Sequence, residues 1–204
     1  MKDPAPLSVT LTSPYPMDAE LEGFPLKVLE VRCRDEHHPI FVRSTVLCSM
    51  ESLRELRLFF LQAVAPTPPS FVLPVSHLQS IACDLGDILG MPIGPVPILQ
   101  WWISNFQAQN NQVEKITIRV YLNIASGELK EKSAPQWREL DRVLLTKAPK
   151  LRKVQVILTL HNEGYGDLMT ETQLVVMDNL KGIRKMHVEL EFRMVLQSET
   201  DHAE

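Results

Sequence analysis

The sequence predicts an α/β repeat array whose parallel strands line one face while helices and loops line the other. Three observations predict it. One apolar pattern occurs six times, as Leu26-Leu29-Val31-Cys33, Leu53-Leu56-Leu58-Phe60, Leu78-Ile81-Cys83-Leu85, Val113-Ile116-Ile118-Val120, Leu151-Val154-Val156-Leu158 and Ile183-Met186-Val188-Leu190. The last three positions of each copy alternate, which is strand chemistry because successive side chains point to opposite faces. Successive copies begin 25 to 38 residues apart, and the later intervals hold apolar residues at helical spacing.

Taken in order, Leu7, Val9 and Leu11 predict an opening strand near 7–11. The copies place further strands near 26–33, 53–60, 78–85, 113–122, 151–160 and 183–196. The segment 62–75 carries Pro66, Pro68, Pro69 and Pro74, and 90–97 carries Gly90, Pro92, Gly94, Pro95 and Pro97; both read as irregular loops within the array. Helices are expected at Ile98, Trp101, Trp102 and Phe106, at Trp137, Leu140 and Leu144, and at Leu174, Met177 and Leu180. The second of these should start after Ser133-Ala134-Pro135 and stop at Ala148-Pro149-Lys150, and Gly182 reads as a left-handed C-terminal stop for the third. The polar tail 197–204 is expected to be disordered, leaving 1–196 as one array.

Parallel strands joined by helices need crossovers, and such crossovers are nearly always right-handed. The irregular period then fits a degenerate leucine-rich-repeat-like right-handed solenoid.

Composition bounds the class. The 204 residues are 45% hydrophobic and 23% charged, enough apolar material for a core. The net charge of -4 comes from 21 basic and 25 acidic residues that are interspersed, so neither nucleic acid nor a membrane is an expected partner. Three cysteines without paired spacing favour free thiols. With no signal-like segment and no long apolar run, the expected location is cytoplasmic or nuclear.

At the level of the repeats the chain resembles the leucine-rich-repeat-like portion of fungal F-box-type proteins. Three stretches carry the resemblance: Ser52-Leu-Arg-Glu-Leu-Arg-Leu58, the helix Trp137-Arg-Glu-Leu-Asp141-Arg-Val-Leu144, and its following strand Leu151-Arg-Lys-Val-Gln-Val156. The resemblance implies the substrate-binding part of a ubiquitin-ligase adaptor-like protein. Nothing ahead of the first strand reads as the family's F-box, so a Skp1-type adaptor is not an expected partner. The asparagine that many leucine-rich repeats place after the strand is replaced by Arg34, Leu61, Gly86, Tyr121, Thr159 and Glu191.

No phosphate-cradling glycine loop, nucleophile elbow or zinc-helix histidine pair occurs, so no catalytic residue and no cofactor is expected. Cys33-Arg-Asp35-Glu36-His37-His38 with Cys48 has zinc-ligand chemistry, but Cys33 fills an inward strand slot. A buried thiol followed by a solvated loop accounts for it, and no metal is assigned. Trp101, Trp102 and Trp137 read as core, with one of the adjacent pair partly exposed because neighbours on a helix cannot share a face. Basic residues recur at the strand starts, at Lys27, Arg54, Lys115, Arg152-Lys153 and Arg184-Lys185, and could form a phosphate-binding ladder. They could equally offset helix C-termini.

If the alternating positions face solvent, they form rows across the strands: Val28, Glu55, Ser80, Lys115, Lys153, Lys185; then Glu30, Arg57, Ala82, Thr117, Gln155, His187; then Arg32, Phe59, Asp84, Arg119, Ile157, Glu189. Arg57, Phe59, Arg119, Tyr121 and Ile157 give this face the composition of a protein-binding hot spot. Alternatively, the loop 62–75 folds over them. The expected function is therefore a non-catalytic protein-recognition module, with phosphate or nucleic-acid binding through the basic strand starts as the alternative.

Overall fold

Alternation that buries every second side chain needs a cover on one side of the sheet only, and the chain supplies it between strands. A computed structural model describes residues 8–11, 26–33, 38–60, 71–85, 96–122, 129–160 and 166–196. Its strands are β1 (Ser8–Leu11), β2 (Val28–Cys33), β3 (Glu55–Phe60), β4 (Ser80–Leu85), β5 (Lys115–Leu122), β6 (Lys153–Leu160) and β7 (Glu189–Leu196). Its helices are α1 (His38–Cys48), α2 (Val96–Gln107), α3 (Leu129–Lys147), α4 (Gly166–Asn179) and α5 (Lys181–Lys185). The strands form one open, all-parallel sheet in chain order, from β1 at one edge to β7 at the other.

The repeat is visible in the backbone. Just ahead of β2, β3, β4 and β5 one carbonyl accepts two successive N–H groups from the next unit: Lys27 from Arg54 and Glu55, Arg54 from Gln79 and Ser80, Gln79 from Glu114 and Lys115, and Glu114 from Arg152 and Lys153. The leading apolar residue of each copy therefore lies before its strand, and Leu26, Leu53, Leu78 and Val113 are buried there. The inward strand residues, among them Leu29, Leu56, Ile81, Ile116 and Val154, join helical residues in one apolar core.

The last unit differs from the sequence expectation. Lys153 pairs with Glu189, not Lys185, so the rows end in Glu189, Glu191 and Arg193. Residues 181–185 form α5, and His187 takes a positive φ of 60° before the strand begins. The cause lies in Asp141 of α3. Its Oδ2 and Oδ1 accept the N–H groups of Gly182 and Ile183 at 2.9 and 2.8 Å, satisfying donors at the start of a short helix. Gly182 is thus no left-handed stop. A Cβ there would overlap Leu145 Cδ1 and lie 2.5 Å from Asp141 Oδ2, so the residue permits close approach of α5 to α3.

Other boundaries also move. α1 begins at His38, which was expected in a loop, α2 begins at Val96 so that Pro97 is helical, and α3 begins at Leu129 with Pro135 inside it. Neither Trp101 nor Trp102 is exposed. They face different covers: Trp102 packs against Phe106 at 5.8 Å, whereas Trp101 Nε1 donates to the Phe71 carbonyl at 3.2 Å. Segment 71–78 lies over α2, fixed by Asn105 Oδ1, which accepts from the Leu73 N–H, and by Gln109 Nε2, which donates to the Leu73 carbonyl. It supplies a second cover for α2, so that adjacent residues on one helix are both buried. The tail 197–204 and most of the two proline-rich loops lie outside the described residues.

Candidate functional site

With the helices on one side, the outward rows of β2 to β6 are the place where side chains meet solvent in register. The first runs Val28, Glu55, Ser80, Lys115, Lys153 and the second Glu30, Arg57, Ala82, Thr117, Gln155, as the alternation requires. In the third, Arg32 pairs with Phe59, and Asp84 with Arg119 and then Ile157.

The third row and the Tyr121 position beyond it form a connected cluster. Tyr121 Oη donates to Asp84 Oδ2 at 3.2 Å, and Arg119 Nη1 donates to Tyr121 Oη at 3.2 Å. The Arg119 guanidinium also lies 5.7 Å from the Phe59 ring centroid, so a cation reaches past β4 to an aromatic on β3. Arg57 belongs to a neighbouring network, donating to Glu55 Oε1 at 2.7 Å and Glu30 Oε2 at 3.4 Å. Phe59, Arg119 and Ile157 are half-buried and Arg57 is similar, while Tyr121 is only 7% exposed. Tyr121 therefore holds Arg119 from below and adds little surface of its own.

Asp84 is the group that the alternation alone does not single out. It occupies an outward slot yet is 1% exposed, and its Oδ1 is buried without a hydrogen-bond partner among the described residues. Burial pushes its carboxyl up to about 7, against the opposing pull of Arg119, the Tyr121 hydroxyl and Arg32; Glu30 adds to the rise. Burial also raises Tyr121, with Asp84 acting in the same direction. For Arg119 burial works downward, but the Tyr121 hydroxyl and Asp84 outweigh it and hold the cation more firmly. A signal was present in the sequence: Asp84 and Arg119 share a row.

Several of the basic strand starts are held by partners, while Lys27 and Lys115 are exposed. Lys153 Nζ lies 2.8 Å from Glu189 and 2.5 Å from Glu191, Arg152 lies 3.9 Å from Glu114, and Arg54 donates to the Glu51 carbonyl at 2.9 Å. Arg184 and Lys185 stand in α5, away from any strand start. Of the zinc-like cluster, residues 34–37 lie outside the described set, Cys33 is buried and Cys48 is exposed on α1. Among the described residues, no group of three or more histidine, cysteine or acidic residues could hold a metal, and no helix is long and apolar enough to cross a membrane.

Comparison with known proteins finds no matching family model, no similar curated protein and no similar solved structure.

Proposed function

We propose that this chain is a non-catalytic protein-recognition module built as a leucine-rich-repeat-like right-handed solenoid, with Arg57, Phe59, Arg119, Tyr121 and Ile157 as its partner-binding patch. Sequential parallel strands and the repeated two-donor carbonyl support the solenoid reading. The observation that carries the functional reading is the Arg119 cation stacked on Phe59 and held by Tyr121, because arginine and aromatic side chains fixed on a sheet face are what interface hot spots consist of. Resemblance to F-box-type proteins extends the proposal: the partner would be a protein substrate presented to a ubiquitin ligase in the cytosol or nucleus.

Phe59→Ala combined with Ile157→Ala tests it, since both side chains are outward and neither belongs to the core. Quantitative affinity capture should lose most partners with an unchanged melting temperature, whereas Lys153→Ala with Lys185→Ala should keep them. The reverse pattern, together with binding to heparin that weakens steeply with salt, would replace the patch with phosphate binding.

A further inference from the structure

We propose that the free edge of β7 is a self-association surface, on which a second copy of this chain adds its own β7 antiparallel about a two-fold axis through Phe192. Among the described residues no strand pairs with that edge. The Glu189 N–H donates to the Arg152 carbonyl, and in a parallel ladder this phase turns the odd-numbered residues of β7 toward β6. Leu190, Phe192 and Met194 consequently direct their N–H and C=O groups outward, the arrangement that templates another strand.

The sequence of this edge is complementary to itself in one register. With Phe192 opposite Phe192, Leu190 faces Met194 of the second copy, and all three residues exchange backbone hydrogen bonds with residues of the same phase. Their side chains lie on the apolar side of the sheet, where Leu190 and Phe192 are only partly covered and Met194 is 53% exposed. On the opposite side Glu191 then faces Arg193 twice, once on each side of the axis, as an opposite-charge cross-strand pair. Within one chain Arg193 already reaches Glu191 at 2.6 Å, so the charges that would pair are adjacent at the edge. An interface of this kind closes on itself and does not propagate into fibres.

Sedimentation of the full chain from nanomolar to high micromolar concentration tests the inference, with circular dichroism confirming that each variant is folded. The parent chain should dimerise. Met194→Pro removes an outward donor and no bond to β6, so it should fold and remain monomeric. Arg193→Glu and Glu191→Arg each place like charges opposite one another and should each weaken association about tenfold or more. An equimolar mixture of those two variants should associate again, because each chain then presents the charges that the other needs. A monomeric parent chain overturns the proposal and leaves the edge to a different strand, and a dimer that survives Met194→Pro shows that another surface is used. Failure of the mixture to associate overturns the two-fold register.

Discussion

β6 and β7 are neighbours paired through the full length of both strands, yet they differ in what lies over them. Leu158 and Met194 occupy the same row; Leu158 is fully buried and Met194 is 53% exposed. Val156 is buried where Phe192 beside it is only partly covered. α4 lies over β6, whereas β7 has the five-residue α5 near its start. Alternation therefore sets which way a side chain faces, and cover sets what that facing is worth. A partner strand at β7 would remove part of the difference, which gives the comparison functional interest.

The largest expected effect comes from placing a charge on each side of this divide. Val156→Asp buries an unpaired carboxylate and should cost about 3–5 kcal/mol, enough to unfold a marginal domain. In the monomer Met194→Asp keeps its carboxylate in water and should stay within about 1 kcal/mol. Urea titrations that give equal losses would erase the distinction between centre and edge.

A smaller effect concerns the joint that sets the register of β7. Asp141→Ala leaves the Gly182 and Ile183 N–H groups without their acceptor and should cost about 1–2 kcal/mol. Gly182→Ala should cost a similar amount, because Asp141 is held by those two bonds and cannot yield to the added Cβ. Both losses should be smaller in combination than their sum, since each breaks the same joint. Full additivity in denaturant titrations would show that α5 is positioned by something else.

This joint is also where reading the sequence went astray. From β2 to β6 the apolar pattern gave the right rows because the inward slots with described side chains are buried, so that a one-residue slip would expose the whole set. Ile183 and Met186 are three apart, a spacing that serves a helical turn as well as the first step of a strand copy. What decides between the two is Asp141, some forty residues away, and no local pattern contains that contact. The expected exposure of one of Trp101 and Trp102 fails for a related reason: the cover of Trp101, the segment at Phe71 and Leu73, comes from another part of the chain. Arg57, Phe59, Arg119 and Ile157 were legible from alternation alone, but the burial of Asp84 was not, because alternation assigns it to solvent.

Two carboxylates carry the comparison into pH. Asp84 rises from 3.8 to about 7 on folding, so the folded state holds its proton more tightly than the unfolded chain does. Its ionisation therefore removes stability as pH rises from about 4 to 7, and the loss is complete above that. Glu191 at the edge is lowered from 4.5 to about 2, chiefly by the hydrogen bond from Lys153 and then that from Arg193. Its contribution is present above pH 4.5 and is lost as pH falls toward 2. Asp84→Asn should flatten the fall in melting temperature between pH 4 and 7, and Glu191→Gln should alter only the acid limb. If Asp84→Asn leaves the profile unchanged, the carboxyl is better solvated than its position implies.

The smallest expected effect lies at the tie between β6 and β7. Lys153 reaches both Glu189 and Glu191, but all three side chains retain contact with water, where ion pairs gain little and salt screens them. Lys153→Ala should lower global stability by less than about 1 kcal/mol. It should still be visible in amide exchange, because β7 is the least covered strand with described side chains and opens by fraying, a process that never requires the core to separate. The sensitive reporters are the Glu191 and Arg193 amides, which the ladder turns toward β6. They should exchange faster in Lys153→Ala while the Gln155 and Ile157 amides, which the same phase turns toward β5, keep their protection. Acceleration across both strands would mean that β6 and β7 open together, and the edge would then be part of the same cooperative unit as the centre.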